Sequence, residues 1–272
     1  MSRAKAYAKI NLGLVVGAIR EDGKHEVVTV LQRIDLHDDV ALEPATELTV
    51  EGFPEDTLAR EALATLAQAT GIAPSWRVRI EKRIPIAAGL GGGSSDAAAA
   101  LILANARVPE PLPPDELHRL ASRIGADVPF FLRGGPVLAT GDGSELAPLE
   151  LPQDYFVLLA LRDGETKEST EAVYERFDGR GGADGFDDRR AAVLEALAGV
   201  RVSRDLAALP RNDLASSPLV GELERLGAFR ADVSGAGPAV YGLFLRRADA
   251  EAAEAALPGA RRTWLVHPIA GR

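Results

Sequence analysis

The sequence predicts an α+β fold, with strands and helices segregated along the chain. Three observations carry that expectation. Strand-like segments crowd the first third of the chain, two helical segments then follow one another, and strands and helices never alternate in the regular manner of a doubly wound parallel sheet. No internal repeat is present, and 272 residues with 46% hydrophobic content suffice for one large domain or two closely packed ones.

The strands come first. Ile10–Val16 and Val27–Leu36 are apolar and β-branched, with a turn at Glu21–Gly23 between them. Glu47–Gly52 and Trp76–Ile84 alternate polar with apolar residues, as half-buried strands do, and together these segments imply a largely antiparallel sheet. A helix is expected to open at Ser94–Asp96 and run through the alanine-rich stretch that follows. A second opens after the prolines at 111, 113 and 114 and stops at Gly125. Pro136–Leu146 reads as a hairpin turning at Asp142 and Gly143.

Tyr155–Leu161 reads as a buried strand that begins a second region, so the domain seam is placed near residue 150. The stretch Arg176–Asp188, rich in Gly and Asp, is expected to be an exposed loop. Helical segments follow at 188–199, 217–227 and 248–257, with the apolar run Ala231–Leu245 between the last two.

Composition excludes several function classes. A formal net charge of -9 gives no broad basic surface for nucleic acid. With no cysteine there are no disulfides and no cysteine-ligated zinc, which suits the cytoplasm, and the four histidines lack metal-ligand spacing. Arg3, Lys5 and Lys9 before the apolar run from Ile10 outline a signal peptide, but Asn11 interrupts the run and charged residues stand where a cleavage site belongs. No stretch approaches the ~20 apolar residues of a membrane span, so no membrane partner is expected.

The most informative segment is PIAAGLGGGSSDAAAA, Pro85 to Ala100. Glycines at 89, 91, 92 and 93 remove side chains that would keep an anion from the backbone and allow the positive φ angles that converge N–H groups. The helix opening at Ser94 and Ser95 adds unpaired donors and its positive dipole end. Such a segment binds an anion. No lysine follows the last glycine, so it is not a Walker loop, and the GxGxxG register fails at Ser94. Ser94 and Ser95 are open to two readings, helix caps or phosphate contacts.

This loop, with AKINLGL from Ala8, DGKH from Asp22, GADVPFFL from Gly125, RNDL from Arg211 and VSGAGPAVYGLF from Val233, resembles the GHMP kinase superfamily of galactokinase, homoserine kinase and mevalonate kinase. The motifs stand in order over almost the whole chain, roughly Ala4 to Phe244. Within the superfamily they are most similar to the branch that phosphorylates the 2-hydroxyl of a cytidine-diphosphate-linked methylerythritol in the non-mevalonate route to isoprenoid precursors.

The resemblance implies a two-domain fold, an N-terminal ATP-binding domain at 1–150 and a C-terminal domain at 151–272 with the substrate cleft between them. It also implies ATP as co-substrate, Mg2+, and a monomer or homodimer. It implies that Lys9 and Asp127 are the catalytic pair and that Pro85, Ile86, Ala87, Ala88, Gly89, Leu90, Gly91, Gly92, Gly93, Ser94 and Ser95 bind the nucleotide. Ser95 would approach the metal, and Asn11, His25, Thr170 and Tyr174 would contact the cytidyl substrate. The chemistry of these residue types agrees. Phosphoryl transfer needs a group near the nucleophilic hydroxyl, and an ammonium beside a carboxylate keeps it ionised.

On the residues alone, Asp127 reads equally as a turn or cap residue and Lys9 as a strand residue with its head in solvent. His25 reads as a surface histidine and Tyr174 as a residue of an amphipathic helix. The chain departs from the family at Lys24, where tyrosine is usual, at Leu31, where an aromatic is usual, and at Ser169 and Thr170, which replace a Pro-Thr-Pro element. Two rivals remain: another GHMP kinase with a different acceptor, and a non-catalytic nucleotide-binding homologue. AKINLGL with DGKH disfavours the first, and the presence of both Lys9 and Asp127 disfavours the second.

Overall fold

The computed structural model describes residues 1–52, 57–162 and 169–270. The chain divides into two compact units, neither continuous in sequence. The first comprises Met1–Ala8, Leu36–Ile86 and Gly91–Gly134, and the second Lys9–Asp35, Ala87–Leu90 and Gly135–Arg272. The long strands β1 (Ser2–Ile19) and β2 (His25–Pro44) pair with one another and contribute residues to both units.

In the first unit, β4 (Trp76–Glu81) pairs antiparallel with the second half of β2, from Asp39 opposite Glu81 to Pro44 opposite Trp76. Its Trp76, Val78 and Ile80 are buried while Arg77, Arg79 and Glu81 are exposed, the period of two that the sequence displays. The edge strand β3 (Thr49–Glu51) runs parallel to β4, the exception to the antiparallel sheet expected. α1 (Thr57–Thr70) is not anticipated by the sequence, because its buried stripe, Ala59, Ala62, Leu63, Leu66 and Ala67, is mostly alanine and weakly apolar.

α1 packs on α2 (Gly92–Asn105), whose run of alanines lets a neighbouring helix approach closely and which is buried on nearly all sides. α3 (Pro114–Ile124) buries Leu120, Ala121 and Ile124 and ends at Gly125, as expected. A short α4 (Val128–Leu132), also not anticipated, follows with Phe130 and Phe131 packed edge to face at 4.9 Å.

In the second unit, the first half of β2 pairs with β5 (Val137–Thr140), which forms the expected hairpin with β6 (Glu145–Pro148). A separate antiparallel sheet has the order β10-β7-β9-β8, from β7 (Phe156–Arg162), β8 (Arg230–Val233), β9 (Val240–Phe244) and β10 (Ala260–Val266). Helices α7 (Pro218–Arg225) and α8 (Arg247–Ala256) pack on it through Leu219, Leu223, Ala250 and Ala253.

α5 (Thr170–Gly179) and α6 (Phe186–Gly199) overturn the expected loop at 176–188, since only 180–185 is non-helical. Tertiary bonds make the turn that short. Arg189 donates to the carbonyls of Gly182 at 2.8 Å and Val16 at 3.1 Å and to Asp213 Oδ2 at 3.0 Å.

Candidate active site

The glycine-rich segment is shaped differently in its two halves. Ala87–Leu90 lies in the second unit, where three consecutive carbonyls are held. Ala88 O accepts from Ala239 N at 3.0 Å, Gly89 O from the Ser234 hydroxyl at 2.9 Å, and Leu90 O from Lys9 N at 3.0 Å. A trans peptide carries its N–H opposite its C=O, so each held carbonyl turns the N–H of its own peptide away from its partner. Gly89 has φ 81°, and Ala87 has φ 54°, a left-handed conformation uncommon for alanine.

Gly91–Ser95 opens α2 in the first unit. Gly91, with φ 71°, caps the helix without a side-chain bond, and the first helical bond runs from Ser95 N to Gly91 O at 2.9 Å. The N–H groups of Gly92, Gly93 and Ser94 therefore belong to the unpaired first turn. The expected opening at Ser94 moves back to Gly92, and neither serine is a cap. Ser94 is half-buried in the first turn and Ser95 is buried behind it.

Lys82, at the exit of β4, bridges Asp38 and Asp96 at 2.6 Å each, and both carboxylates are fully buried. Burial alone would lower the pKa of Lys82, but Asp96 and Asp38 outweigh it and the pKa stands above its usual value.

Lys9 is buried in β1, and its ammonium donates to Asn11 Oδ1 at 2.7 Å. Asn11 Nδ2 donates to Thr29 Oγ1 at 2.8 Å, the Thr29 hydroxyl donates to Gly13 O at 2.7 Å, and the Tyr241 hydroxyl donates to Asn11 O at 2.9 Å. The solvent-facing reading of Lys9 is thereby excluded. Alternation along β1 aims Lys9 and Asn11 to one side, a spacing visible in AKINLGL. Thr29 and Tyr241 are not found by sequence reasoning, since nothing in their apolar strands marks them. Asp127 is half-buried at the N-cap position of α4 and makes no capping bond there, with Val128 and Phe130 buried after it.

His25 and Tyr174 are brought together, their rings 4.6 Å apart and tilted by 33°. His25 Nε2 lies 2.9 Å from Asp178 Oδ1, and the Phe177 ring lies near-perpendicular to His25 with centroids 6.0 Å apart. Thr170 stands exposed at the start of α5, which Ser169 caps by accepting from Ala172 N at 3.1 Å. Lys24 pairs with Asp142 at 2.5 Å, and Leu31 is buried in the core. Among the described residues no group of three or more His, Cys, Asp or Glu side chains is arranged for a metal, and no helix is long and apolar enough to cross a membrane.

Comparison with known proteins agrees with this fold. The family model for the GHMP kinases N terminal domain matches residues 57–135, and that for the GHMP kinases C terminal domain matches residues 203–261. A 4-diphosphocytidyl-2-C-methyl-D-erythritol kinase of Gloeobacter violaceus is 40% identical over 275 residues, covering 94% of this chain and 90% of the relative. One from Nocardia farcinica is 39% identical over 273 residues, covering 93% and 87%. A crystal structure of 4-(cytidine 5'-diphospho)-2C-methyl-D-erythritol kinase superposes with a TM-score of 0.78 at 32% identity, covering 99% of this chain and 100% of the other. A crystal structure of mevalonate kinase, with a TM-score of 0.74 at 13% identity over 99% and 100% of the two chains, shares the fold alone.

Proposed function

The chain belongs to the 4-diphosphocytidyl-2-C-methyl-D-erythritol kinases, a branch of the GHMP kinases, and from that membership we propose which of its residues carry each part of the reaction. It is an ATP-dependent kinase acting on a small-molecule alcohol. The acceptor is the 2-hydroxyl of 4-diphosphocytidyl-2-C-methyl-D-erythritol, a step toward isoprenoid precursors.

Pro85–Ser95 binds the phosphates of ATP through main-chain N–H groups. The observation that carries this reading is the tethering of the Ala88, Gly89 and Leu90 carbonyls, each of which turns the N–H of its own peptide away from its partner. Asp127 orients the acceptor hydroxyl and takes its proton as the oxygen bonds to the γ-phosphorus and the bond to ADP breaks. Lys9 offsets the charge that develops on that oxygen. Asn11, His25, Tyr174 and Thr170 contact the cytidyl substrate, His25 and Tyr174 through their ring faces.

Mg2+, which the Ser95 hydroxyl would help to hold, would supply neutralisation of the phosphate charge. Magnesium keeps several waters and takes few protein oxygens, of which the Ser95 hydroxyl would be one, and no carboxylate cluster is present among the described residues. Residues 1–150 and 151–272 serve as the nucleotide-binding and C-terminal domains of a cytoplasmic monomer or homodimer that uses neither nucleic acid nor membrane.

The test is phosphate transfer from ATP to the cytidyl alcohol, homoserine and mevalonate in parallel. The cytidyl alcohol is expected to be the preferred acceptor, and preference for either of the others would overturn the assignment. Asp127→Ala is expected to lower kcat by about 10²- to 10⁴-fold while ATP affinity changes less than about threefold. Unchanged turnover would remove Asp127 from the mechanism.

A further inference from the structure

Arg211–Leu214 carries no role in the reaction assigned above, yet its asparagine reaches the site, and every residue involved lies in the second compact unit. Asn212 is half-buried, and its carboxamide is wholly committed to backbone. Nδ2 donates to the carbonyls of Val233 at 2.9 Å and Gly235 at 2.7 Å, while Oδ1 accepts from Leu214 N at 2.8 Å and, more weakly, from Ala215 N at 3.4 Å. A carboxamide offers two donors and two lone pairs, so nothing remains for a substrate and the side chain acts as a scaffold. The segment is anchored further by Asn212 N on Asp232 Oδ2 at 3.0 Å and by Arg211 on Ala231 O at 2.7 Å.

Asn212 holds the second glycine-rich loop, Ser234–Gly237. The peptide joining Val233 to Ser234 is tied on both sides, its carbonyl to Asn212 and its N–H to Ala239 O at 2.9 Å. In the peptide after Gly235 the carbonyl is held by Asn212, which turns the Ala236 N–H the opposite way. Gly235 has φ 56°, and a Cβ there would lie 3.3 Å from Lys9 Nζ, 3.3 Å from Gly89 O and 3.5 Å from Asn11 Oδ1. The loop backbone thus stands within a methyl group of the buried ammonium.

We propose that Asn212 is a positioning residue for phosphoryl transfer. By holding the Gly235 carbonyl it seats the loop against Lys9 and Gly89 and fixes where the ammonium sits. The inference rests on the kinase reading of the same site.

Two variants test it. Asn212→Asp keeps the shape and an acceptor for Leu214 N but replaces the two donors with an oxygen that faces two carbonyls, and Asn212→Ala removes the clamp without that repulsion. Each is compared with the wild type for kcat, KM for the cytidyl alcohol, ATP dissociation constant and thermal midpoint. The expected result is a fall in kcat of about 30- to 100-fold, the scale of a small misplacement of a catalytic group. ATP affinity and KM change by less than about threefold. In a Lys9→Ala background Asn212→Ala lowers the residual rate by less than about threefold, because the two residues act through one group.

A folded variant with kcat within about twofold of wild type overturns the inference, as does equal loss of ATP binding and turnover, or an undiminished effect in the Lys9→Ala background. If Asn212→Asp does not fold, Asn212→Ala carries the comparison, and failure of both to fold assigns Asn212 to stability alone. A wild type that transfers no phosphate to the cytidyl alcohol sinks the functional reading and this inference with it. An active wild type with unaffected variants sinks only this one.

Discussion

At Gly89 the backbone has φ 81°, and a Cβ would lie 2.1 Å from Ser234 O, a contact between two main chains that no rotamer relieves. Gly23 has nearly the same φ, 80°, with nothing within 4 Å, so alanine there meets only the left-handed strain of about 1–2 kcal/mol. Gly89→Ala is expected to destabilise the fold by about twice as much as Gly23→Ala or more, and to weaken ATP binding, which Gly23→Ala leaves unchanged. Thermal midpoints and ATP titration of the two variants decide it, and equal effects would remove the steric argument. At this scale much of the candidate site is legible in sequence, because clustered glycines before a helix mark a close approach of main chain and strand alternation aims Lys9 and Asn11 to one side. Thr29, Tyr241 and Asn212 are not legible, since each acquires its role only from a partner distant in sequence.

The elements flanking the glycine-rich segment are joined by one half-buried cation. Asp38 from β2 accepts from Arg83 N at 2.5 Å and Ile84 N at 2.8 Å, and Lys82 ties it to Asp96 in the second turn of α2. The path from β4 toward the loop is thereby set at both ends within the first unit. Lys82→Met strands two fully buried carboxylates and is expected to cost about 3–5 kcal/mol of unfolding free energy in urea denaturation. Adding Asp96→Asn to Lys82→Met removes one stranded charge and should recover part of the loss; a double variant less stable than Lys82→Met would contradict the argument. Element boundaries follow the same logic. α2 begins at Gly92 because glycine alone adopts the left-handed cap freely, and 180–185 is a short turn because Arg189 gathers distant carbonyls there.

Across the whole molecule, several buried protons are held more tightly in the native state than in the unfolded chain. Burial, partly offset by Arg230, pushes the Tyr241 phenol up to about 12, and burial drives Tyr155 up as well. Lys82 is raised by its carboxylates against the opposing effect of burial. A raised native pKa stabilises fully below the unfolded value and ceases to do so as pH rises through the native value. All three groups therefore share one sign, and stability should decline from about pH 10 upward. Urea midpoints at pH 8, 10 and 11 measure this, with each group contributing up to about 1.4 kcal/mol per pH unit. Tyr241→Phe should flatten the decline at a cost of about 1 kcal/mol at pH 8, from the lost bond to Asn11 O. An alkaline profile without slope would refute it. What the amino-acid order determined unaided was the α+β class, most of the strands and helices and the glycine-rich loop that leads into α2, because hydrophobic period, turn chemistry and clustered glycines are local properties. What only the tertiary structure decided was which carbonyls of that loop are held, which distant residues brace Asn11 beside the Lys9 ammonium, and how short the turn between α5 and α6 is. Those depend on hydrogen bonds between segments up to some two hundred residues apart, such as that of Tyr241 with Asn11, and no window of sequence contains both partners.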